Sequence, residues 1–385
     1  MSEAQAALVG VFEHPTRWAP DKTAWQIMAE SARGALADCG LSIGDVDGLW
    51  AAGIEMGPMG ILSLAEYLDL KPRYVDGTNI GGSSFVAHVR HAAAALQAGM
   101  CEVALILYGS TAASHAMAIG TGGRGGGDAR SGFQSPYGLT TVGGYALAAR
   151  RHMHLYGTRS EQLAEIAVAT RHHASLNPAA KMRQPITVAD VLESRVISDP
   201  LHLLDCCIIS DGGGALVVTT QERARDLRKP PVAVLGSGEA VWHMGTGRPD
   251  LLEIAAKQSG EEAFRSAGVS RDDVDLCMIY DSFTITVLLT LENLGFCKPG
   301  EGGDFVSDGR IGLGGALPVN LDGGGLSSNH PGMRGIFLVI EAVKQLRGEC
   351  GERQVANAEV ALAHGTGGLL STLHSGATLI LARQS

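Results

Sequence analysis

Four short segments hold side chains able to do chemistry. The run Gly323-Gly324-Gly325-Leu326-Ser327-Ser328-Asn329-His330-Pro331-Gly332 carries one histidine to the mouth of a predicted helix, and an imidazole there exchanges protons near neutral pH. The tetrapeptide Tyr280-Asp281-Ser282-Phe283 offers a phenol, which either packs in a core or hydrogen-bonds an oxyanion and exchanges a proton with a hydroxyl. His364, in Ala363-His364-Gly365-Thr366-Gly367-Gly368, either moves a proton or is simply hydrogen-bonded at a strand end. A second glycine-rich turn, Asp76-Gly77-Thr78-Asn79-Ile80-Gly81-Gly82-Ser83-Ser84, also leads into a predicted helix and holds no cysteine. Ser83 and Ser84 read either as helix-capping hydroxyls or as an alternative nucleophile with His330 as base. A histidine kept without a thiol points to catalysis with no covalent thioester.

Such segments need a scaffold, and an internal repeat supplies its plan. Ala37-Asp38-Cys39-Gly40-Leu41-Ser42-Ile43-Gly44-Asp45-Val46-Asp47 resembles Ser266-Ala267-Gly268-Val269-Ser270-Arg271-Asp272-Asp273-Val274-Asp275 in a Gly-apolar-Ser-x-x-Asp-Val-Asp core, each after a helix-like stretch. Downstream, Cys101-Glu102-Val103-Ala104-Leu105 is echoed by Ala358-Glu359-Val360-Ala361-Leu362, both strand-like. Between the echoes sit the two glycine-rich turns and their helices. Two copies of one α/β unit account for these features in one order.

The 385 residues, 45% hydrophobic and 18% charged, describe a soluble globular protein with large buried sheets. Its seven cysteines show neither CxxC spacing nor a disulfide framework, which predicts a reducing compartment and no zinc. His152-Met153-His154 and His172-His173 lack partner carboxylates, so no metal is expected. The start has no basic segment followed by an apolar core, and no apolar run reaches spanning length; the expected location is the cytoplasm, with no membrane contact. A net charge of -10 excludes general nucleic-acid binding. Residues 121–185 depart from that average, with eight basic side chains against three acidic ones. That section reads as a solvated helical face or as the receiver of a phosphate-bearing substrate, with Arg124, Arg130, Lys181 and Arg183 as candidate contacts.

These motifs resemble the thiolase superfamily over nearly the full length of the chain. The resemblance implies an α/β thiolase fold: two repeated βαβ-type halves, each a mostly parallel sheet with helices, in a five-layered αβαβα body. Residues 1–225 would form the N-terminal half, with a substrate and coenzyme A loop region at about 116–195, and residues 226–385 the C-terminal half. In the family a cysteine starts the helix after the first glycine-rich turn, and a second precedes a glycine near the C-terminus. None of the seven cysteines here matches either place. His364 stands at or beside the second, and the glycines of the oxyanion loops correspond to Gly82, Gly325, Gly365 and Gly367.

The substitutions are similar to those of the thiolase-like retro-aldolases and lipid-transfer-protein homologues of steroid side-chain degradation, which also share segments like Ser198-Asp199-Pro200-Leu201 and Asp211-Gly212-Gly213-Gly214. That branch implies retro-aldol cleavage of a β-hydroxyacyl-CoA to a ketone or aldehyde plus a shorter acyl-CoA. Tyr280 would exchange the hydroxyl proton, His330 would serve the enolate oxygen and His364 would assist. The alternatives are a degenerate acyltransferase using a serine and a non-catalytic acyl-CoA-binding subunit. No cofactor would be bound permanently; coenzyme A enters as part of the substrate. A homodimer is implied, and a heterotetramer with a small zinc-ribbon/OB-fold partner. The branch often carries a tyrosine near the loop histidine, where this chain has Ser327, Ser328, Asn329, Met333 and Arg334. Arg334 then reads as a partner for a substrate carboxylate or phosphate, or as an exposed salt bridge.

Overall fold

The computed structural model describes residues 6–117, 140–243, 250–370 and 372–384. Arg124 and Arg130 lie outside the described residues. The strands are β1 (Ala6–Glu13), β2 (Gly48–Ala51), β3 (Tyr74–Asp76), β4 (Val103–Ser110), β5 (Val196–Ser198), β6 (Leu201–His202), β7 (Gly212–Thr220), β8 (Val232–Trp242), β9 (Leu276–Ile279), β10 (Val360–Leu369) and β11 (Thr372–Arg383). Nine of them follow the order β3-β2-β4-β7-β1-β8-β11-β10-β9, and β5 pairs with β6.

About the antiparallel β1–β8 seam, which holds only Ala7 against Ala233 and Leu8 against Val232, the two sides mirror each other, with five strands on one and four on the other. β2 runs parallel to β3 and β4, as β9 runs parallel to β10 and, through a bridge from Cys277, to Val319. β7 returns antiparallel between β4 and β1, and β11 does so between β10 and β8. The halves are therefore mixed sheets, a correction to the mostly parallel ones implied by resemblance. Each half closes with a return strand, and that strand lies antiparallel to both of its neighbours.

Alternation along the strands builds the layers. In β4, Val103, Leu105 and Leu107 face the helix Ala24–Cys39, while Ala104, Ile106 and Tyr108 face a central core with the helices Ser84–Gln97 and Gly335–Arg347. Leu276, Met278, Ala361 and Ala363 meet that same core from the second sheet, and Cys277, Ile279 and Leu362 point the other way, to the helices Ala256–Ala267 and Thr284–Leu294. Helix, sheet, helices, sheet, helices is the five-layered arrangement.

The repeat motif has a physical reading. Gly40 and Gly268 end their helices in the left-handed conformation, and Ser42 and Ser270 each hydrogen-bond the aspartate three residues on. Asp47 then accepts from the N–H groups of Glu102 and Val103 at 2.8 Å, and Asp275 from Glu359 and Val360 at 2.7 and 2.8 Å. Each aspartate fixes where the parallel partner strand begins. The halves are also clamped by His91, whose Nδ1 meets Asp76 and whose Nε2 meets Glu239, both at 2.8 Å.

Between β4 and β7 lie the helices Thr141–Tyr156, Ser160–Ser175 and Val188–Glu193. They pack on the second half: buried His152 meets Glu292 at 3.0 Å, and that carboxylate also accepts from Gly300 and Gly302. Among the described residues no helix is long and apolar enough to cross a membrane.

Candidate active site

Tyr280 immediately follows β9, and its N–H donates to the carbonyl of His364 in β10 at 3.0 Å. Parallel pairing thus carries the phenol to the sheet end. There its oxygen lies 2.9 Å from His330 Nε2, with the two rings edge to face at 5.6 Å between centroids. Both are almost completely buried. Burial pushes the Tyr280 phenol well above its ordinary range, so it stays protonated. Burial, aided by the Arg334 guanidinium, lowers the His330 imidazole to about 4 and keeps it neutral. Its Nδ1 has no hydrogen-bond partner among the described residues.

The pair lines a cavity of about 600 Å³ whose walls come from both halves and from the insertion. Gly82 and Gly367 border it, and so do Tyr145 and Phe283, whose rings are tilted at 36° with centroids 4.4 Å apart. The volume and apolar lining suit a small-molecule site. Gly82 is in the turn opening the helix Ser84–Gln97, where the first N–H groups have no partner within the helix and favour an anion.

The other expected residues divide. Ser83 is fully buried and its hydroxyl is engaged with Ser375 Oγ at 2.7 Å and the Ile80 carbonyl at 3.0 Å. Ser84 donates to the Gly81 carbonyl at 2.7 Å and accepts from Ile80 N–H at 3.0 Å. Neither serine lines the cavity, and neither caps the helix; both hydroxyls tie down the turn, because that buried loop has its own polar groups to satisfy. His364 is likewise not brought to the pair. The alternation of β10 turns its ring outward, where Nδ1 meets Thr378 Oγ1 at 2.8 Å and Thr378 meets Ser259 at 2.9 Å. Burial lowers this imidazole to about 3. Gly325 spends its N–H on Asp281 at 2.7 Å and is no oxyanion donor, while Gly365 packs against Ser83 behind the wall.

Lys181 stands at the rim, its Nζ donating to the carbonyl of the cavity residue Ile209 at 2.7 Å. Arg183 does not line the cavity; it donates to the Ser175 carbonyl at 3.1 Å. Arg195 does line it, a cation that lies beyond the basic stretch of residues 121–185 and so is not marked by it. Arg334 meets neither of its expectations: it is fully buried, between Asp281 at 3.3 Å and Asp322 at 2.5 Å. Cys206 and Cys207 also line the cavity, although neither occupies a family cysteine position.

Comparison with known proteins bears on this geometry. Residues 238–383 match the family described as thiolase C-terminal domain-like. A steroid side-chain-cleaving aldolase from Thermomonospora curvata is 36% identical over 367 residues, spanning 91% of this chain and 93% of its own. The chain belongs to the thiolase superfamily, in its branch of thiolase-like aldolases. A second relative of this aldolase, 17-hydroxy-3-oxo-4-pregnene-20-carboxyl-CoA lyase from Mycobacterium tuberculosis, is 34% identical over 382 residues, 95% of this chain and 98% of that one. The solved Ltp2-ChsH2(DUF35) aldolase superposes with a TM-score of 0.87 at 32% identity, covering 98% of each chain. The fold, the enzyme class and the thiol-free helix start agree with one another.

Proposed function

We propose that this thiolase-like aldolase cleaves a β-hydroxyacyl-CoA by a retro-aldol step, and the observation that carries the reading is the buried Tyr280–His330 pair at the cavity wall. The phenol donates to Nε2 of the neutral imidazole, leaving the phenolic oxygen to accept the substrate's β-hydroxyl proton. As that proton arrives, the phenol's own proton passes to His330. The Cα–Cβ bond breaks, the β-carbon becomes the carbonyl of a ketone or aldehyde, and the electron pair moves into the thioester as an enolate. The helix start at Gly82, with Gly367 packed beside the same turn, forms the part of the wall suited to the enolate oxygen. The proton held on His330 returns to Cα, giving the shorter acyl-CoA. No thiol is consumed and no acyl group is transferred.

Coenzyme A enters only as the substrate's thioester, and Arg195 and Lys181 at the mouth provide positive charge for its phosphate-bearing end. The relatives' names favour a steroid-like acyl group, to which the apolar walls with Tyr145 and Phe283 are suited. We further propose a cytoplasmic homodimer that joins a small zinc-ribbon/OB-fold companion, a reading supported by the two-component name of the solved Ltp2-ChsH2(DUF35) aldolase.

Incubation with β-hydroxyacyl-CoA and β-ketoacyl-CoA esters, with and without free coenzyme A, tests the reaction class by mass spectrometry of the products. Aldol cleavage proceeds without free coenzyme A. Turnover confined to β-ketoacyl esters with free coenzyme A would replace it with thiolysis.

A further inference from the structure

Arg334 is among the largest fully buried side chains in the protein, and no step above uses it. Its three nitrogens are spread over three partners: Nε on Asp281 Oδ1 at 3.3 Å, Nη1 on Asn329 Oδ1 at 3.3 Å and Nη2 on Asp322 Oδ2 at 2.5 Å. Asp281 in turn accepts from Gly325 N–H at 2.7 Å and Leu326 N–H at 3.2 Å, and Asp322 accepts from Gly324 N–H at 3.0 Å. Asp281 is the residue after Tyr280, and Asn329 is the residue before His330.

We propose that Arg334 and Asp281 act as one positioning unit that holds the His330 loop against Tyr280, so that the phenol and the imidazole keep their hydrogen-bonded separation. The proposal rests on the Tyr280–His330 reading above. Burying two carboxylates and a guanidinium is a poor route to stability, since well-packed apolar side chains often do as well in such places. What the ions add is direction. A guanidinium presents several donors in a fixed plane, and here that plane ties the segment before His330, the turn three to five residues earlier and the residue next to Tyr280 into one rigid set.

The backbone is shaped to receive it. Gly324 has φ +61, and a Cβ there would lie 2.0 Å from Asp281 Oδ2, so the turn can approach the carboxylate only with glycine in that place. From the other side, Asn329 Nδ2 donates to Glu13 in β1 at 2.8 Å, with Arg17 paired to that carboxylate, and the Met333 N–H donates to Tyr108 Oη at 3.0 Å. The charged groups around the loop are thus Asp281, Asp322, Glu13, Arg17, Arg334 and the buried Arg171, whose Nε donates to Ser327 Oγ at 2.7 Å. Of these, the Arg334 guanidinium is the one that adds to burial in holding the His330 imidazole below its ordinary range. Loss of Arg334 should therefore let His330 take up a proton at higher pH, and the melting temperature read beside that titration separates it from a general loosening of the packing.

The test compares Arg334→Lys, Arg334→Met and the neutral triple variant Asp281→Asn/Asp322→Asn/Arg334→Met, reading melting temperature, kcat and KM with a β-hydroxyacyl-CoA ester. The His330 imidazole is also titrated by 15N-histidine NMR, assigned with His330→Gln. Arg334→Met is expected to lower kcat about 100-fold with KM little changed, the scale of a misplaced catalytic group. Its His330 midpoint should rise from the acid range toward that of a free imidazole. The triple variant, with neither carboxylate left stranded, should regain melting temperature but not kcat, and it decides the matter if Arg334→Met does not fold. Arg334→Lys should keep His330 neutral while recovering only part of kcat, because an ammonium cannot reach three partners. A folded triple variant with wild-type kcat, or a His330 midpoint unmoved in both methionine variants, overturns the proposal. If the wild type turns over no β-hydroxyacyl-CoA ester, the retro-aldol reading fails, yet the NMR titration still judges the positioning unit.

Discussion

Gly82 leaves room for Tyr280: a Cβ on Gly82 would lie 2.2 Å from Tyr280 Cε2 and 2.6 Å from the Thr366 carbonyl. An aromatic ring held by its own hydrogen bond to His330 has no slack to give, so Gly82→Ala is expected to displace the phenol rather than be absorbed. The protein should still fold, with kcat down about 100-fold for a shift of roughly an ångström. Steady-state kinetics beside a crystal structure of the variant checks this; wild-type kcat would show that the ring is not where the reaction needs it.

Tyr280→Phe removes one oxygen and retains the ring. Turnover should fall roughly 10²–10³-fold with substrate binding nearly unchanged, the cost of losing the group that takes the hydroxyl proton and relays one to His330. Ser83→Ala behaves oppositely. It loses bonds to Ser375 and the Ile80 carbonyl, about 1 kcal/mol of stability, and keeps most of its activity. A dead, folded Ser83→Ala enzyme beside an active Tyr280→Phe enzyme would restore the serine acyltransferase.

Acid should unfold the protein earlier than carboxylate chemistry alone requires. Burial holds His88, His173, His330 and His374 at about 4 and His364 at about 3, below the ordinary 6.5. The unfolded chain therefore binds more protons between pH 6.5 and 4, and stability falls as pH falls through that window, by about 1.4 kcal/mol per unit for each imidazole that stays neutral. His91 has the opposite sign. Asp76 and Glu239 raise it to about 9, so its contribution is complete below 6.5 and is lost as pH rises through 9. Melting temperature against pH should peak near 6.5 for these groups, and His91→Gln should remove the alkaline fall. A flat profile from pH 4 to 6.5 would contradict the buried neutral histidines.

Native alkylation at neutral pH should leave activity largely intact. Cys206 and Cys207 line the cavity, but burial pushes the first thiol up to about 12 and the second still further, and only thiolates react quickly. Prolonged treatment at high pH should inactivate by filling the cavity, a CoA ester should protect, and Cys207→Ala should stay active. Rapid inactivation traced to one cysteine at pH 7 would assign a thiol to the chemistry.

Much of this architecture is legible in the sequence because it is local or repeated. The Ser42–Asp45 and Ser270–Asp273 turns and the Asp47 and Asp275 clamps each need residues at fixed spacing, and that spacing is visible as a repeat. His330 stands out because a glycine-rich loop marks it, and Tyr280 takes its role from the resemblance to the thiolase superfamily. What stays hidden depends on which way a strand faces or how distant segments meet. His364 has the right neighbours in sequence, but alternation along β10 sends its ring away from the cavity. The burial of Arg334 and the arrival of Cys206, Cys207 and Arg195 at the wall are set by packing between segments far apart in the chain.

The seam symmetry also assigns unequal labour to the two copies. Counting from the clamping aspartates, Ala52 stands five residues after Asp47 where Tyr280 stands five after Asp275. One copy is blank at the position where the other is armed. The residues that make the halves alike hold the frame, and those that make them differ carry the reaction, so chemistry can be rewritten at a helix start or a loop without touching the clamps that fold the sheets. A thiolase scaffold that works without its thiol is one outcome of that separation.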